Sequence, residues 1–192
     1  MDRISKPPEI RKQEILDTAM KLFYEKGYEA TSMADIAKEL NIVQGLCYRY
    51  FKSKQILFET AMNQYVEICC AKFVQNIHDH SRSINERLNI MEELMINAEN
   101  KGEYREFYHK PGNEAMHEML SFKMCKYMLP HIKEEIKYLK NTGVISIEDP
   151  ELAAEFISYG QIGLLQNKSE PFSVITQQIK KYVNDILKFE DK

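Results

Sequence analysis

Apolar residues recur at helical spacing through almost the whole of this 192-residue chain, and this spacing is what most limits the folds open to it. In the first stretch, predicted to be helical from about Pro8 to Lys26, Ile15, Ala19 and Phe23 fall on one face. Glycine (7) and proline (6) are both scarce, which disfavours a turn-rich β-sandwich or barrel. No run of residues has a strand pattern that would require a sheet. The sequence therefore predicts an all-α protein.

Short signals at the helix ends divide the first part of the chain into four predicted helices. Gly27 follows the first helix and is the residue expected at a left-handed helix stop. Ser32 and Asp35 form a capping pair for a short second helix, and Asn41 suits the left-handed turn behind it. A third and a fourth helix are then predicted over about residues 43–51 and 53–78.

The rest of the chain keeps the same helical pattern. Ser83 and Glu86 form a capping box in front of one helix, and Asp149 with Pro150 marks the start of another. Pro130 lies inside a helical stretch and is expected to kink or end it. The sequence thus predicts helices up to its last residues.

Composition argues against several classes of protein. No stretch approaches the roughly 18 uninterrupted apolar residues of a membrane span, and the N-terminus lacks the apolar segment of a secretory signal. The four cysteines include no C-x-x-C pair, so reduced thiols are expected rather than disulfides or a zinc site. Glu114 and His117 form a Glu-x-x-His pair, which is compatible with a metal, but a di-metal bundle also needs further glutamates on the facing helices. We expect a cytoplasmic protein without a metal or a cofactor.

The net charge of −3 is unevenly distributed. Residues 1–54 carry 10 basic and 8 acidic residues, whereas the rest of the chain carries 16 and 21. This mild asymmetry is compatible with an N-terminal end that faces nucleic acid and a more acidic body.

The second and third predicted helices are joined by a turn of about four residues, which is the spacing of a helix-turn-helix. In such a unit the second helix lies in the major groove and presents its first residues to base edges. Here that helix starts with Gln44, Gly45 and Leu46. Glutamine pairs with adenine, glycine permits close approach of the backbone, and leucine can touch a thymine methyl group. This segment is therefore a candidate for reading bases.

Residues that suit phosphate contact follow directly. Tyr48 and Tyr50 flank Arg49, and Lys54 stands where the long fourth helix begins. Hydroxyl groups, cations and helix N–H groups position a protein on DNA without reading its sequence. Taken alone, the same residues would also fit an ordinary solvated surface.

Many fixed positions strengthen the DNA-binding interpretation. The order Arg11, Ile15-Leu16, Ala19, Leu22-Phe23, Gly27-Tyr28, Thr31, Ile36-Ala37, Tyr48-Arg49-Tyr50-Phe51, Ser53-Lys54 and Leu57 resembles the TetR family of transcriptional regulators, without a gap over about 57 residues. The resemblance implies an all-α homodimer with a DNA-binding domain over residues 1–54 and a helical effector-binding and dimerisation domain over 55–192. It also implies a palindromic operator. The implied DNA contacts are Thr31 or Ser32, Ala34, Gln44, Gly45, Leu46, Tyr48, Arg49, Tyr50 and Lys54.

The sequence departs from the family pattern at three neighbouring positions. Family members often have serine or threonine where Val43 stands, and valine cannot cap the helix. They often have threonine or serine at the position of Leu46, which here favours apolar base contact. Cys47 replaces an aliphatic residue and is interpreted as a small core residue, with a redox switch as the alternative.

The second predicted domain offers two interpretations for each apolar group. Its methionines and aromatics fit either an ordinary core or an adaptable pocket for an unknown small-molecule effector. The candidate pocket residues are Phe73, Met91, Met95, Tyr104, Phe107, Tyr108, His117 and Phe156. In the family the last two helices pair with their symmetry mates, whereas the same residues could form an internal core. The candidate dimer residues are Phe156, Tyr159, Gly160, Gly163, Ile179, Tyr182, Val183 and Ile186.

These observations favour a ligand-responsive repressor that binds a palindromic operator as a homodimer and is released by a small-molecule effector. The alternative is a helical interaction protein of the same fold that has lost sequence-specific DNA binding. The sequence contains no Gly-rich phosphate loop, H-E-x-x-H motif or nucleophile elbow, so an enzyme is not expected.

Overall fold

The computed structural model of the chain describes residues 6–101, 114–166 and 169–189. Regular structure within these ranges is helical, apart from one isolated bridge between Ile145 and Phe189. The prediction of an all-α fold is confirmed. The helices are α1 (Pro8–Lys26), α2 (Met33–Glu39), α3 (Gln44–Tyr50), α4 (Lys54–Ile77), α5 (Ile84–Lys101), α6 (Glu114–Asn141), α7 (Pro150–Gly160), α8 (Ile162–Leu165) and α9 (Phe172–Leu187).

The chain forms two compact units, and the division between Tyr65 and Val66 falls inside α4. The first unit therefore contains α1 to α3 and the first turns of α4. The predicted functional boundary after residue 54 does not coincide with this division, and it stays a prediction.

The first unit is built on the apolar face of α1. That helix has a proline in its first turn and ends where Gly27 adopts a φ of +87°, with the Gly27 N–H donating to the Phe23 carbonyl at 3.0 Å. A non-glycine residue would be strained at this φ, so the predicted stop is explained by backbone freedom. The face that the sequence pattern predicts is buried: Ile15, Leu16, Ala19, Leu22 and Phe23.

The second unit begins its helices with caps that the sequence predicts. The Ser83 hydroxyl accepts from the Glu86 N–H at 3.3 Å, and Glu86 accepts from the Ser83 N–H at 2.8 Å. Asp149 accepts from the Leu152 N–H at 3.0 Å, with Pro150 next in the chain. Helix α6 does not end at Pro130 but continues to Asn141. Neighbouring turns thus hold α6 together although proline removes one backbone donor.

Apolar residues from α6, α7, α9 and the segment between α6 and α7 form a core cluster in the second unit. The buried members are Ile136, Leu139, Ile145, Ala153, Ala154 and Leu187. Among the described residues, no helical segment has the length and apolar character that a bilayer crossing demands. No group of three or more His, Cys, Asp or Glu side chains in these ranges is arranged to hold a metal ion.

Two histidines meet beside this core. His78 Nε2 and His131 Nδ1 are 3.1 Å apart, so one ring nitrogen donates to the other. The ring centroids are 5.3 Å apart, and the two contacting nitrogens lie between the rings. Burial and the neighbouring His78 lower the pKa of His131, while Glu134 acts in the opposite direction.

The lowered pKa of His131 predicts a loss of stability in mild acid. An unfolded histidine binds a proton below about pH 6.5. His131 in the folded chain resists protonation, so protons favour the unfolded state and stability falls as the pH drops through and below that value. The free energy of unfolding, measured in urea from pH 7.5 to 5.0, should therefore decline less for His131→Asn than for the wild type. Parallel pH profiles for the two proteins would contradict this prediction.

Candidate nucleic-acid interface

Helices α2 and α3 are joined by residues 40–43, the four-residue turn that the sequence predicts. The Ser32 hydroxyl accepts from the Asp35 N–H at 3.1 Å and the Asp35 carboxylate accepts from the Ser32 N–H at 2.9 Å, which completes the predicted capping box. Asn41 adopts the left-handed conformation with φ +52°, and the Ile42 N–H donates to the Ala37 carbonyl at 2.9 Å. Local hydrogen bonds therefore fix the angle at which α3 leaves α2.

Helix α3 is anchored by one residue and otherwise lies on the surface of the unit. Cys47 is fully buried, whereas Gln44, Gly45, Tyr48 and Arg49 are exposed. A Cβ added at Gly45 would meet nothing within 4 Å, so the protein itself does not require glycine there. The exposed side of α3 is therefore accessible to a large partner such as the major groove of DNA.

At the start of α3 there is a polar side chain without a hydrogen bond, and there are apolar side chains that are partly or mostly exposed. The side-chain amide of Gln44 makes no hydrogen bond within the described part of the chain. Leu46 is half-buried. Val43 precedes the helix without a side-chain cap and is 63% exposed. Val43 is not among the DNA contacts that the family resemblance implies, and its exposure follows from tertiary packing.

Cationic and hydroxyl groups continue this surface into α4. Arg49 and Lys52 are exposed, and Tyr50 is half-buried. Lys54 is held by Tyr28, whose carbonyl accepts from Lys54 Nζ at 2.8 Å and whose ring centroid lies 4.2 Å from the same nitrogen. This contact fixes the position of the ammonium group at the start of α4, where the first backbone N–H groups have no intrahelical acceptor.

Helix α2 and the residue before its cap offer fewer side chains for DNA contact than the resemblance implies. Ser32 and Ala34 are exposed, but Thr31 is 1% exposed. The Thr31 hydroxyl donates to the carbonyls of Leu22 and Gly27 at 3.1 and 2.8 Å. Thr31 therefore joins the end of α1 to the start of α2 and has no side-chain surface for DNA, so only Ser32 of the two alternatives fits.

The cysteines fit a structural role. None of the four, all of which lie in described residues, is paired in a disulfide. Burial raises the pKa of the Cys47 thiol, and it raises those of Cys70 and Cys125 to about 12 and about 11. A thiol that stays protonated is a poor nucleophile, which supports the core interpretation of Cys47 over a redox switch.

The predicted effector residues fall into three groups. Four are half-buried in the second unit: Phe73, Met91, Met95 and His117. Three lie outside the described residues: Tyr104, Phe107 and Tyr108. Phe156 is 65% exposed, which fits a surface contact and not a pocket wall.

The predicted dimer residues divide into exposed and internal groups. Phe156, Gly160, Gly163 and Tyr182 are exposed, and the half-buried Tyr159 stacks on Phe122 with ring centroids 5.4 Å apart. Ile179 is buried in its own unit, and Val183 and Ile186 pack against the core cluster. For these three the internal-core alternative fits better, because one face of α9 must cover α5 and α7. The predicted dimer residues do not include Leu152, which is 66% exposed on α7.

The first unit is a helix-turn-helix domain, a class of module that binds DNA through its second helix. Residues 15–61 match the family described as "Bacterial regulatory proteins, tetR family". The family model and the residue pattern thus agree that this N-terminal part of the chain is similar to the TetR family. Proteins of this family are regulators, which agrees with the expectation that the chain is not an enzyme.

Curated relatives are similar to the chain over a limited stretch. IcaR of Staphylococcus aureus (strain Newman), the negative transcriptional regulator of the biofilm operon icaADBC, is 39% identical over 66 residues, which are 34% of this chain and 33% of IcaR. The chain spans about a third of the length of the curated relatives it matches.

Two solved structures share the fold over most of the chain. A TetR-family transcriptional regulator from Mesorhizobium loti has a TM-score of 0.68 at 18% identity and covers 95% of this chain and 98% of its own. A transcriptional regulator from Saccharomonospora viridis in complex with choline has a TM-score of 0.60 at 20% identity, over 95% of this chain and 100% of its own. At these identities the likeness concerns the fold.

Proposed function

We propose that this protein is a transcriptional regulator that binds a palindromic DNA operator as a homodimer and represses transcription by occupying it. The observation that carries the proposal is the exposed side of α3, with Gln44 and Gly45 unused by the protein and Arg49 beside them. The name of IcaR as a negative regulator supports repression rather than activation.

The homodimer is supported by the apolar surface of α7. Leu152 and Phe156 are 66% and 65% exposed, and exposed apolar groups of this size mark interaction sites when they are grouped. A twofold axis would bring equal patches together and give two recognition helices for two half-sites about one helical turn apart. Sedimentation of the complex should then show two chains on one duplex.

We further propose that a small-molecule effector releases the protein from its operator. A regulator that has the same fold was solved with choline, and half-buried side chains such as Met91, Met95 and Phe73 provide adaptable apolar surface in the second unit. An effector that releases the operator must bind the DNA-free conformation better than the DNA-bound one. Displacement of a labelled operator by a metabolite panel would identify it.

Arg49→Ala should weaken binding to all DNA sequences alike, because an exposed guanidinium beside the groove neutralises a phosphate. The plot of log affinity against log salt concentration should become shallower by about one unit. The measurement is fluorescence anisotropy with labelled duplexes at salt concentrations between about 50 and 300 mM, where counterion release makes the affinity strongly dependent on salt.

Lys72→Ala is the matched control for Arg49→Ala. Lys72 is an exposed cation of the second unit, so its removal should leave the salt dependence unchanged. Equal slopes for wild type and Arg49→Ala would remove Arg49 from the interface. A chain that binds no duplex at any salt concentration would instead favour the alternative of an interaction protein without DNA binding.

A further inference from the structure

Val43 occupies a position where it stabilises neither its helix nor the core. It is the N-cap of α3, its side chain makes no capping hydrogen bond, and it is 63% exposed. Serine, threonine, aspartate or asparagine at such a position would stabilise the helix, and valine is among the poorest choices. Its apolar surface faces outward next to Gln44, at the first residues of the helix proposed to read DNA.

The stretch Val43–Leu46 is poor in hydrogen-bonding side chains. Its one polar side chain is the unpaired amide of Gln44, and it contains no arginine, lysine, aspartate or glutamate. The exposed residues inside α2 are Ala34, which adds a methyl group, and Lys38 and Glu39, which lie in its last turn. The nearest exposed arginine is Arg49, near the C-terminal end of α3.

Each base pair presents different chemistry in the major groove. Guanine is read by arginine or lysine, adenine by the bidentate amide of glutamine or asparagine, and thymine by apolar contact with its 5-methyl group. A surface that combines one free amide with valine and leucine methyl groups matches adenine and thymine and offers guanine no cation.

We infer that the base pairs contacted by Val43–Leu46 are A·T pairs, with the Gln44 amide on adenine and the Val43 side chain against a thymine methyl group. This inference rests on the proposed DNA-binding function and goes beyond it by specifying the half-site. Val43 is then a specificity-determining residue, and its apolar surface is used when DNA is bound. Leu46, which is half-buried, contacts the same side of the groove.

The first step of the test is selection of duplexes from a random pool by the full chain. Enriched half-sites should contain A·T pairs at the positions that Gln44→Ala and Val43→Ala relax. Enriched sites with G·C pairs at those positions, or a guanine preference that Arg49→Ala abolishes, would overturn the inference while the proposed function stands. If no duplex is enriched, the proposed function fails and the inference fails with it.

The second step removes one methyl group from the DNA. Replacing the assigned thymine by deoxyuridine deletes only the 5-methyl group, and burial of one methyl corresponds to about a fourfold change in affinity. Wild-type affinity should fall by about that factor, whereas Val43→Ala should bind both duplexes equally. A thymine outside the contacted pairs is the control. An unchanged wild-type affinity after the assigned replacement would overturn the inference.

Val43→Ser separates a role in DNA binding from a role in folding. Serine can cap α3, so the variant should unfold at a higher temperature than the wild type. Its affinity for the selected operator should nevertheless fall about fourfold or more, because the apolar contact is gone. Operator affinity that stays level or rises in this more stable variant would show that Val43 does not contact a base.

Discussion

Glu135→Ala is expected to lower the free energy of unfolding by about 3 to 5 kcal/mol, because it leaves a buried charge without its partner. Arg87 and Glu135 are 5% and 7% exposed, and Arg87 Nη1 donates to Glu135 Oε1 at 2.7 Å. The same guanidinium donates to the Ile77 carbonyl at the end of α4, so it remains buried after the carboxylate is removed.

The second carboxylate oxygen adds to the expected loss. His80 Nε2 and Glu135 Oε2 are 2.7 Å apart, and the His80 ring stacks on Tyr138 with centroids 3.9 Å apart. The Asn76 side-chain amide donates to the Arg87 carbonyl at 2.9 Å. Glu135 on α6 thus connects α5 with the residues that follow α4, and alanine would release both connections.

Equilibrium unfolding in urea measures this effect, and the exposed neighbour Glu134 supplies the control. Glu134→Ala should change the free energy of unfolding by less than about 0.5 kcal/mol, as usual for surface substitutions. The double variant Arg87→Met/Glu135→Leu should recover most of the loss, because apolar residues replace a buried ion pair at little cost. A loss below about 1 kcal/mol for Glu135→Ala would show that solvent screens the pair as it screens surface ion pairs.

Helix boundaries were predictable from the sequence because local chemistry determines them. Gly27 and Asn41 adopt positive φ where the chain must leave a helix, and Ser32 with Asp35 closes hydrogen bonds within four residues. Such interactions need no partner from elsewhere in the fold. The positions of α1 to α4, and with them the exposed start of α3, follow from these signals.

Burial and long-range pairing were not predictable in the same way. Thr31 stands beside exposed residues in the sequence, but its hydroxyl lies between two carbonyls of the α1 end. Arg87 and Glu135 are 48 residues apart, and nothing in the local pattern of either pairs them. Ile179 shows the same limit, because helical spacing identifies an apolar face but not whether its own chain or a second chain covers it.

Phe23→Ala is expected to lower the free energy of unfolding by about 3 to 5 kcal/mol and to weaken DNA binding as well. Phe23 is fully buried, and its ring meets Phe58 edge-on at 5.2 Å and Tyr28 at 5.6 Å between centroids. Tyr28 and Phe58 are also in contact at 4.7 Å. Loss of the central ring leaves a cavity between α1, α4 and the turn that carries Tyr28.

The expected effect on DNA binding follows from the contact of Tyr28 with Lys54, a residue of the proposed DNA interface. Its carbonyl and ring hold Lys54 Nζ at 2.8 and 4.2 Å, so a mobile Tyr28 leaves the ammonium group without a fixed position. Phe23→Leu keeps most of the apolar volume and should cost less than about 1.5 kcal/mol, with operator affinity near wild type. Thermal unfolding and anisotropy titrations at a temperature where all variants are folded separate the two effects. If folded Phe23→Ala bound the operator as tightly as Phe23→Leu does, the aromatic cluster would support the fold without positioning Lys54.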